Sequence, residues 1–511
     1  MTAPWWKTGV VYQIYPRSFL DTNGDGVGDL EGIRRRLDHL AWLGVDALWL
    51  SPVFPSPMKD FGYDVADYCD VDPLFGTLGE LDRLVAESHA RGVKVLLDWV
   101  PNHTSDQHPW FVESRRARTS PKRNWYWWRD PAPDGGPPND WKAAFPLGID
   151  AWTLDPATGQ YYLHQFLPEQ PDLNWTNPAV VRAMHDVLRF WLDRGVDGFR
   201  VDVVHGIGKD PALPNEPAEW RGIPHVAVNE QPSTHELLRA IRRLVDAYPG
   251  DRMLVGEVFQ LFGQSHERYF GTNDELHLAF ELPASVATLW EPEAWRERIT
   301  NVAARLGPIG AWPTWVLSNH DTPRHRSRFG SEARARAAAV LLLTLRGTPF
   351  LYAGEELGLE DAEVPADRRV DPGGRDGCRA PIPWEAGGTH GWATANPWLP
   401  WPPNADERSL ERLRADETSI LHLYRKLLAF RRRSAALREG SIALLDVPDG
   451  VLAYERRVGD ERLVVAVNFT GDAIACGVTG QVRIASDGAG EGRDFLGSLG
   501  GDQAVVIAAG T

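Results

Sequence analysis

Two rhythms of apolar residues alternate along this chain. Short runs in which almost every residue is apolar, such as Val45 to Leu50 and Val93 to Val100, read as strands buried on both faces. Between them lie longer segments whose apolar residues return every three or four positions. Ile33 to Trp42 places Ile33, Leu37, Leu40 and Ala41 on one face, and Leu78 to Ala90 does the same with Leu81, Leu84 and Val85, so both read as amphipathic helices. Gly44 and Gly92 follow them where a left-handed residue closes a helix. The unit of helix, glycine and strand then repeats. Val181 to Gly195 leads to Val196 to Val204, Leu237 to Tyr248 leads through Gly250 to Met253 to Phe259, and Ala333 to Leu345 leads through Gly347 to Pro349 to Tyr352. Val10 to Phe19 opens the series, and Trp315 to Ser318 is a further short strand. Such alternation implies parallel strands joined by right-handed crossovers, and its extent predicts a (β/α)8 TIM barrel.

The rhythm fails in two places. From Thr104 to Asn174 there is no helical period, only the aromatic cluster Asn124-Trp-Tyr-Trp-Trp-Arg-Asp130, a Pro/Gly-rich run and a hairpin-like stretch from Trp152 to Phe166. A structureless loop of that length is uncommon in a compact domain, so an inserted small domain after strand three is expected. From about Ser441 onward, short β-rich runs alternate with turn signals, which predicts a C-terminal antiparallel β-sandwich. The expected organisation is barrel over 1–103 and 175–438, insertion over 104–174, and C-terminal domain over 439–511.

Charge narrows the partners. With 70 acidic against 54 basic residues the formal charge is -16, which disfavours nucleic acid. Cys69, Cys378 and Cys476 are far apart and show no metal-ligand spacing, so a disulfide framework is not expected. The N-terminal residues lack the basic region and apolar run of a secretory leader, and no apolar stretch is long enough to span a bilayer; a cytoplasmic protein without a membrane partner is the expectation.

Candidate chemistry gathers at the strand ends. Asp98, Asn102 and His103 follow one strand, Asp202 ends the next, Glu257 follows a third and Asn319-His-Asp321 a fourth. Carboxylates at the C-terminal ends of barrel strands lie at the catalytic rim. Taken singly, each has a plainer explanation: Arg200 and Asp202, two apart on one strand face, can be a structural ion pair, and a lone histidine can simply be hydrogen bonded. Several acids converging on one mouth fit glycoside hydrolysis, which needs one carboxylate as nucleophile or base and another as acid.

The set Asp98-Trp-Val-Pro-Asn-His103, Gly198-Phe-Arg-Val-Asp202, Gly256-Glu257 and Asn319-His-Asp321 resembles the α-amylase family of glycoside hydrolases (family 13) over nearly the whole chain. Gln170-Pro-Asp-Leu-Asn174 and Gly62-Tyr-Asp64 look like its branch of α-glucosidases and oligo-1,6-glucosidases. The resemblance implies Asp202 as nucleophile, Glu257 as general acid/base and Asp321 as transition-state stabiliser. It also implies that Tyr63, Asp64, His103, Arg200, His320 and Arg379 line the pocket for the terminal glucose, with Phe145, Phe166 and Gln170 near the aglycone side. Arg200 is expected to keep Asp202 ionised, because a fixed cation lowers a neighbouring carboxyl's pKa. The expected activity is a retaining exo-α-glucosidase acting on short α-glucosides such as maltose and isomaltose, with some transglucosylation. A transglucosylase or sugar isomerase on the same site is the alternative within the family. A non-catalytic transporter heavy chain, also similar to this family, is disfavoured by the full acid set. Val203, after the nucleophile, accompanies action on α-1,6 bonds within the branch.

The loop Asp21-Thr-Asn-Gly-Asp-Gly-Val-Gly-Asp29 stands apart from these motifs. It begins like an EF-hand loop, but Gly32 stands where that loop needs its bidentate Glu. Its acids would repel phosphate and attract a hard cation, so a structural Ca2+ held by Asp21, Asn23, Asp25, the Val27 carbonyl and Asp29 is expected, with a hydrated turn as the alternative. No organic cofactor is called for.

Overall fold

In the computed structural model of the chain, which describes residues 3–145, 147–259, 266–280 and 289–508, eight parallel strands form one sheet. They are β1 (Val11–Ile14), β2 (Ala47–Leu50), β3 (Lys94–Trp99), β4 (Gly198–Val201), β5 (Met253–Gly256), β6 (Leu278–Ala279), β7 (Thr314–Val316) and β8 (Thr348–Tyr352). The sheet order is β7-β8-β1-β2-β3-β4-β5-β6. Its two ends meet where the Thr314 hydroxyl donates to the Ala279 carbonyl at 2.9 Å. This is a (β/α)8 barrel.

Strand alternation divides the apolar side chains between two cores. Val11, Trp49, Leu96, Met253, Val255, Val316 and Phe350 fill the barrel, while their neighbours Tyr12, Leu48, Leu50, Leu97, Leu254 and Leu351 face the surrounding helices. Adjacent strands fit closely at Gly198, where an added Cβ would lie 2.1 Å from the Met253 carbonyl oxygen, so the β4–β5 contact admits no side chain there.

The helices follow the predicted stripes with shifted ends. The segment before β2 is two helices, Leu30–Arg35 and Leu37–Leu43, broken at Arg36. Leu78–Ala90 starts at Thr77, whose side chain accepts from the Glu80 amide. Pro178–Asp193 begins at Asn177, which caps it by accepting from the Ala179 amide at 2.9 Å, with proline in the first turn where no amide is lost. Its buried Met184, Val187, Leu188, Trp191 and Leu192 form one face toward the barrel. Pro232–Asp246 and Glu332–Thr344 match the next two expected helices, and Pro292–Leu306 is an additional one.

Between β3 and β4 lies a three-stranded antiparallel sheet of Trp128–Arg129, Trp152–Asp155 and Gln160–Leu163. Bridges between His103 and Asp172, and between Tyr126 and Leu173, bring its exit back beside its entry. The C-terminal part carries a six-stranded antiparallel sheet and a two-stranded one, from Ser441–Leu444 to Ala504–Ala508. No helix among the described residues is long and apolar enough to cross a membrane.

Candidate active site

The alternation that fills the barrel also builds the site. Asp98 follows Leu96 by two residues, Arg200 follows Gly198, and Glu257 follows Val255, so all three stay in the inward phase beyond the last apolar layer. The β3–β4 register pairs Asp98 directly with Arg200, and the β4–β5 register pairs Arg200 with Val255. One guanidinium is therefore shared by three acids. Arg200 lies 2.9 Å from Asp98, 2.5 Å from Asp202 and 2.8 Å from Glu257. The Asp202 backbone amide donates to the Trp99 carbonyl and the Glu257 amide to the Val201 carbonyl, both at 2.9 Å, which extends the ladder just far enough to aim the two carboxylates.

This arrangement changes the expected charge of Asp202. Burial raises its pKa, Arg200 pulls it back, and Glu257 and Asp98 raise it again, leaving it well above the ordinary carboxylate range. Asp98 is pushed up to about 6, first by burial and then by Glu257, against Arg200 and the Tyr63 hydroxyl. Arg200 alone does not fix Asp202 as an anion, because one cation cannot offset three carboxylates in a water-poor setting. Asp98 and Asp202, both raised, therefore hold their protons more tightly than an ordinary carboxyl does.

The opposite wall has the inverse composition. Asp321 receives Arg375 at 2.8 Å and Arg379 at 3.2 Å, and lies 3.2 Å from the His320 ring. Burial would raise its pKa, but His320, Arg375 and Arg379 together hold it well below the usual carboxylate range. His320 is itself depressed to about 3 by burial, so near neutral pH the arginines carry this effect. Tyr63 joins the two walls: its hydroxyl donates to Asp98 at 3.0 Å and meets His320 Nε2 at 2.6 Å, with the two rings stacked at 5.4 Å.

These walls enclose a pocket of about 360 Å³, and Asp202, Glu257, Asp321, Tyr63, His103, Phe145 and Phe166 all line it. The remaining expected residues stand behind that surface. Gln170 bonds His103 and Asp60, each at 3.1 Å. Arg379 spans the His320 carbonyl at 2.8 Å and Asp371 at 3.2 Å. Asp64, expected on the pocket wall, is fully buried away from it and accepts from Ser56 and from the Lys59 and Asp60 amides. Asp60 occupies the wall instead. Phe61 and Gly62, with φ of 47° and 109°, reverse the chain between Asp60 and Tyr63, which turns Asp60 into the pocket and Asp64 out of it.

Several lining residues were not foreseen. Arg375 bridges Asp60 and Asp321 with 2.7 and 2.8 Å contacts and stacks over Phe145. His205, Ile223, Pro224, His225 and Phe259 come from the rim loops and form the outer wall. Val203 has φ of 42°, a strained conformation for a β-branched residue, and its amide donates to Glu257 at 3.2 Å. The strain sits directly between the two carboxylates. Beneath the rim, Lys209 pairs with Asp172 at 3.1 Å, both fully buried, and so pins the inserted sheet to the β4 loop.

In the loop from Asp21 to Asp29 the oxygens are held by the loop's own amides. Asp21 accepts from Asn23 and Gly24, Asp25 from Val27, and Asp29 from Thr22 and from Gly32, where it caps the helix Leu30–Arg35. Among the described residues no three acid, imidazole or thiol groups gather around one point. The donors are nonetheless all hard oxygens, the chemistry a hard dication requires.

The chain matches the family model described as "Alpha amylase, catalytic domain" over residues 13–440. It is 42% identical to a protein named probable alpha-glucosidase from Rhizobium meliloti (strain 1021), over 92% of this chain and 90% of that one. Identity to the oligo-1,6-glucosidase of Parageobacillus thermoglucosidasius is 38%, over 92% and 91% of the two chains. The crystal structure of the alpha-glucosyl transfer enzyme XgtA is 40% identical, with a TM-score of 0.91 over 99% of this chain and 100% of that one.

Proposed function

The chain belongs to the alpha-amylase family and is a glycoside hydrolase, and from that premise we propose that it is a retaining exo-α-glucosidase of short α-glucosides. The observation that carries this reading is the placement of Asp202 and Glu257 on one guanidinium at the lining of a single pocket. Asp202 is the nucleophile: it attacks the anomeric carbon and forms a covalent glucosyl-enzyme. Glu257 gives its proton to the leaving oxygen and then takes one from the incoming water. Burial and the neighbouring acids raise the pKa of Asp202, while Arg200 favours its anionic form. Asp321, kept ionised by Arg375 and Arg379, faces the sugar as positive charge develops on its ring. A retaining pair needs carboxyl groups about 5 to 5.5 Å apart, so α-glucose is the expected first product by NMR, and β-glucose would refute the assignment.

The bulky rings of Phe145, Phe166 and His225 narrow the pocket they line, which supports exo action on maltose and isomaltose. Faster internal cleavage of soluble starch than of maltose would refute it. Leu147 and Phe259, both exposed at 79% and 48%, leave an apolar mouth. That surface favours carbon-bearing acceptors over water and so supports some transglucosylation, as does the likeness to a transfer enzyme.

The loop Asp21–Asp29 we take as a structural Ca2+ site, on the strength of its donor types. Bound to the folded state alone, the ion would raise stability. Chelator should lower the melting temperature, and Asp25→Ala should abolish that response; no response in the wild type leaves a hydrogen-bonded turn. Three free cysteines support a cytoplasmic setting, and fractionation of the native source is the test.

A further inference from the structure

A second pocket, of about 150 Å³, lies at the other end of the barrel. Its charged lining is Asp46, Lys94, Arg431, Arg432 and Arg438. Asp46 precedes β2 and Lys94 opens β3, so this pocket is at the strands' N-terminal ends, whereas Asp98 and Asp202 stand at their C-terminal ends.

The charges here do not balance. Asp46 is spent: one oxygen accepts from Arg432 and the other from the Val10 amide, both at 2.9 Å. Lys94 turns to Asp197 at 3.1 Å. Arg431 is 1% exposed and its terminal nitrogens donate only to carbonyls, Leu343 at 3.0 Å and Gly347 at 2.6 Å. Its Nε is buried and has no partner, and the same holds for Nε of Arg438, whose nearest acid, Glu439, is 3.9 Å away. Behind them Arg456, also fully buried, donates only to the carbonyls of Ser441, Thr344, Leu437 and Gly440. Among the described residues neither Arg431 nor Arg456 makes an ion pair. Carbonyl dipoles soften the cost of such charges, and Asp46 acts on Arg431 from across the pocket without contact, but neither cancels it. Burial accordingly lowers both arginines' pKa, to about 10 for Arg431 and about 9 for Arg456. With a formal charge of -16 the chain as a whole does not attract anions, so the feature is local.

We propose that this basal pocket binds a small oxyanion, with inorganic phosphate as its simplest form. Four cations, Lys94, Arg431, Arg432 and Arg438, line the pocket against one carboxylate, Asp46, and the guanidiniums on the neighbouring helices Ile420–Arg433 and Ala435–Glu439 suit the charge-assisted hydrogen bonds a phosphate oxygen accepts. Because those helices lead into the C-terminal sheet while Lys94 and Asp46 belong to the barrel, a bound oxyanion ties the two together. It is a stabilising ligand, remote from the chemistry.

The test is calorimetric titration and thermal unfolding of the full chain with inorganic phosphate, against sodium chloride at matched ionic strength. The expected result is saturable binding of one phosphate per chain and a rise in melting temperature of about 2 °C or more near saturation, with kcat on maltose within about twofold of its starting value. Arg438→Gln, which removes one lining guanidinium and no catalytic group, should weaken binding about tenfold or more, in keeping with the loss of a charge-assisted hydrogen bond. Arg431→Gln also breaks carbonyl contacts, so Arg438→Gln and Lys94→Gln are the deciding variants. Absence of saturable binding in the wild type overturns the proposal, as does unchanged affinity in both variants. Glucose 6-phosphate separates the sources: tighter binding than inorganic phosphate identifies a phosphate ester, weaker binding the free ion.

Discussion

The two walls of the pocket use the same residue types in opposite proportion. On one, three carboxylates, Asp98, Asp202 and Glu257, share Arg200. On the other, a single carboxylate, Asp321, is held by Arg375 and Arg379. The first wall raises the pKa of Asp98 and Asp202, and the second lowers that of Asp321. Burial pushes all three upward, so the difference comes from the local count of charges. A catalyst that must donate a proton and also present a permanent anion needs both environments, and this mouth provides them within one sugar's length.

The contrast is most severely tested on the crowded wall. Asp202→Asn and Glu257→Gln should each lower kcat on maltose by several orders of magnitude, on the order of 10³ or more, with an unchanged circular dichroism spectrum. Near-normal turnover in either variant would remove it from the chemistry. Asp321→Asn should cost less, about 10² to 10³ in kcat, because it removes charge stabilisation but no covalent or proton-transfer step.

The pH profile separates the walls directly. The acidic limb of kcat/KM should lie above the ordinary carboxylate value, since Asp202 must lose a proton it holds with raised affinity. Asp98→Asn removes a like charge, so Asp202 should ionise more readily and the limb should move to lower pH. A shift to higher pH would mean that Asp98 does not raise the pKa of Asp202. Asp321→Asn should leave the limb where it is.

Stability follows the buried imidazole of the second wall. The folded-state pKa of His320 is about 3, as is that of His39 and His325, against about 6.5 in an unfolded chain. Depressed values mean that the unfolded state takes up protons first, so the stability these residues contribute is complete above pH 6.5 and is lost as pH falls from there toward 3. His320→Gln should make the decline shallower by up to about 1.4 kcal/mol per pH unit, the weight of one proton. An identical slope would show that His320 is protonated in the folded protein. Smallest in effect is Val203→Thr, which keeps the branched shape at φ of 42° but adds a hydroxyl beside both carboxylates. It should favour maltose over isomaltose by about 1 to 3 kcal/mol in kcat/KM.

Much of this was legible in the chain because barrel strands and helices each carry a period. Seven of the eight strands show it, and Asp98 and Glu257 follow from counting two residues past the apolar inward positions Leu96 and Val255, with Asp202 two past Arg200. β6 is two residues, Leu278–Ala279, too short for any alternation to register. The helix Pro292–Leu306 went unpredicted although Trp295, Ile299, Val302 and Leu306 form an ordinary stripe and Gly307 closes it; the strand that follows, Thr314–Val316, is only three residues long and gives little rhythm to pair it with. Asp60 lies three residues before Tyr63 and Asp64 one after it, and the left-handed pair Phe61 and Gly62 decides which one enters the pocket. Arg375 and His225 sit in aperiodic rim loops, where position comes from tertiary hydrogen bonds rather than from spacing.

The most direct test of the crowded wall is to trap its product. Glu257→Gln, deprived of the residue that activates water, is incubated with an α-glucosyl donor bearing a good leaving group, digested and mapped by mass spectrometry. One glucosyl unit on the peptide that contains Asp202, and none in Asp202→Asn, is the expected result. A label on another carboxylate, or turnover with no covalent label and release of β-glucose, contradicts the assignment of Asp202 as nucleophile.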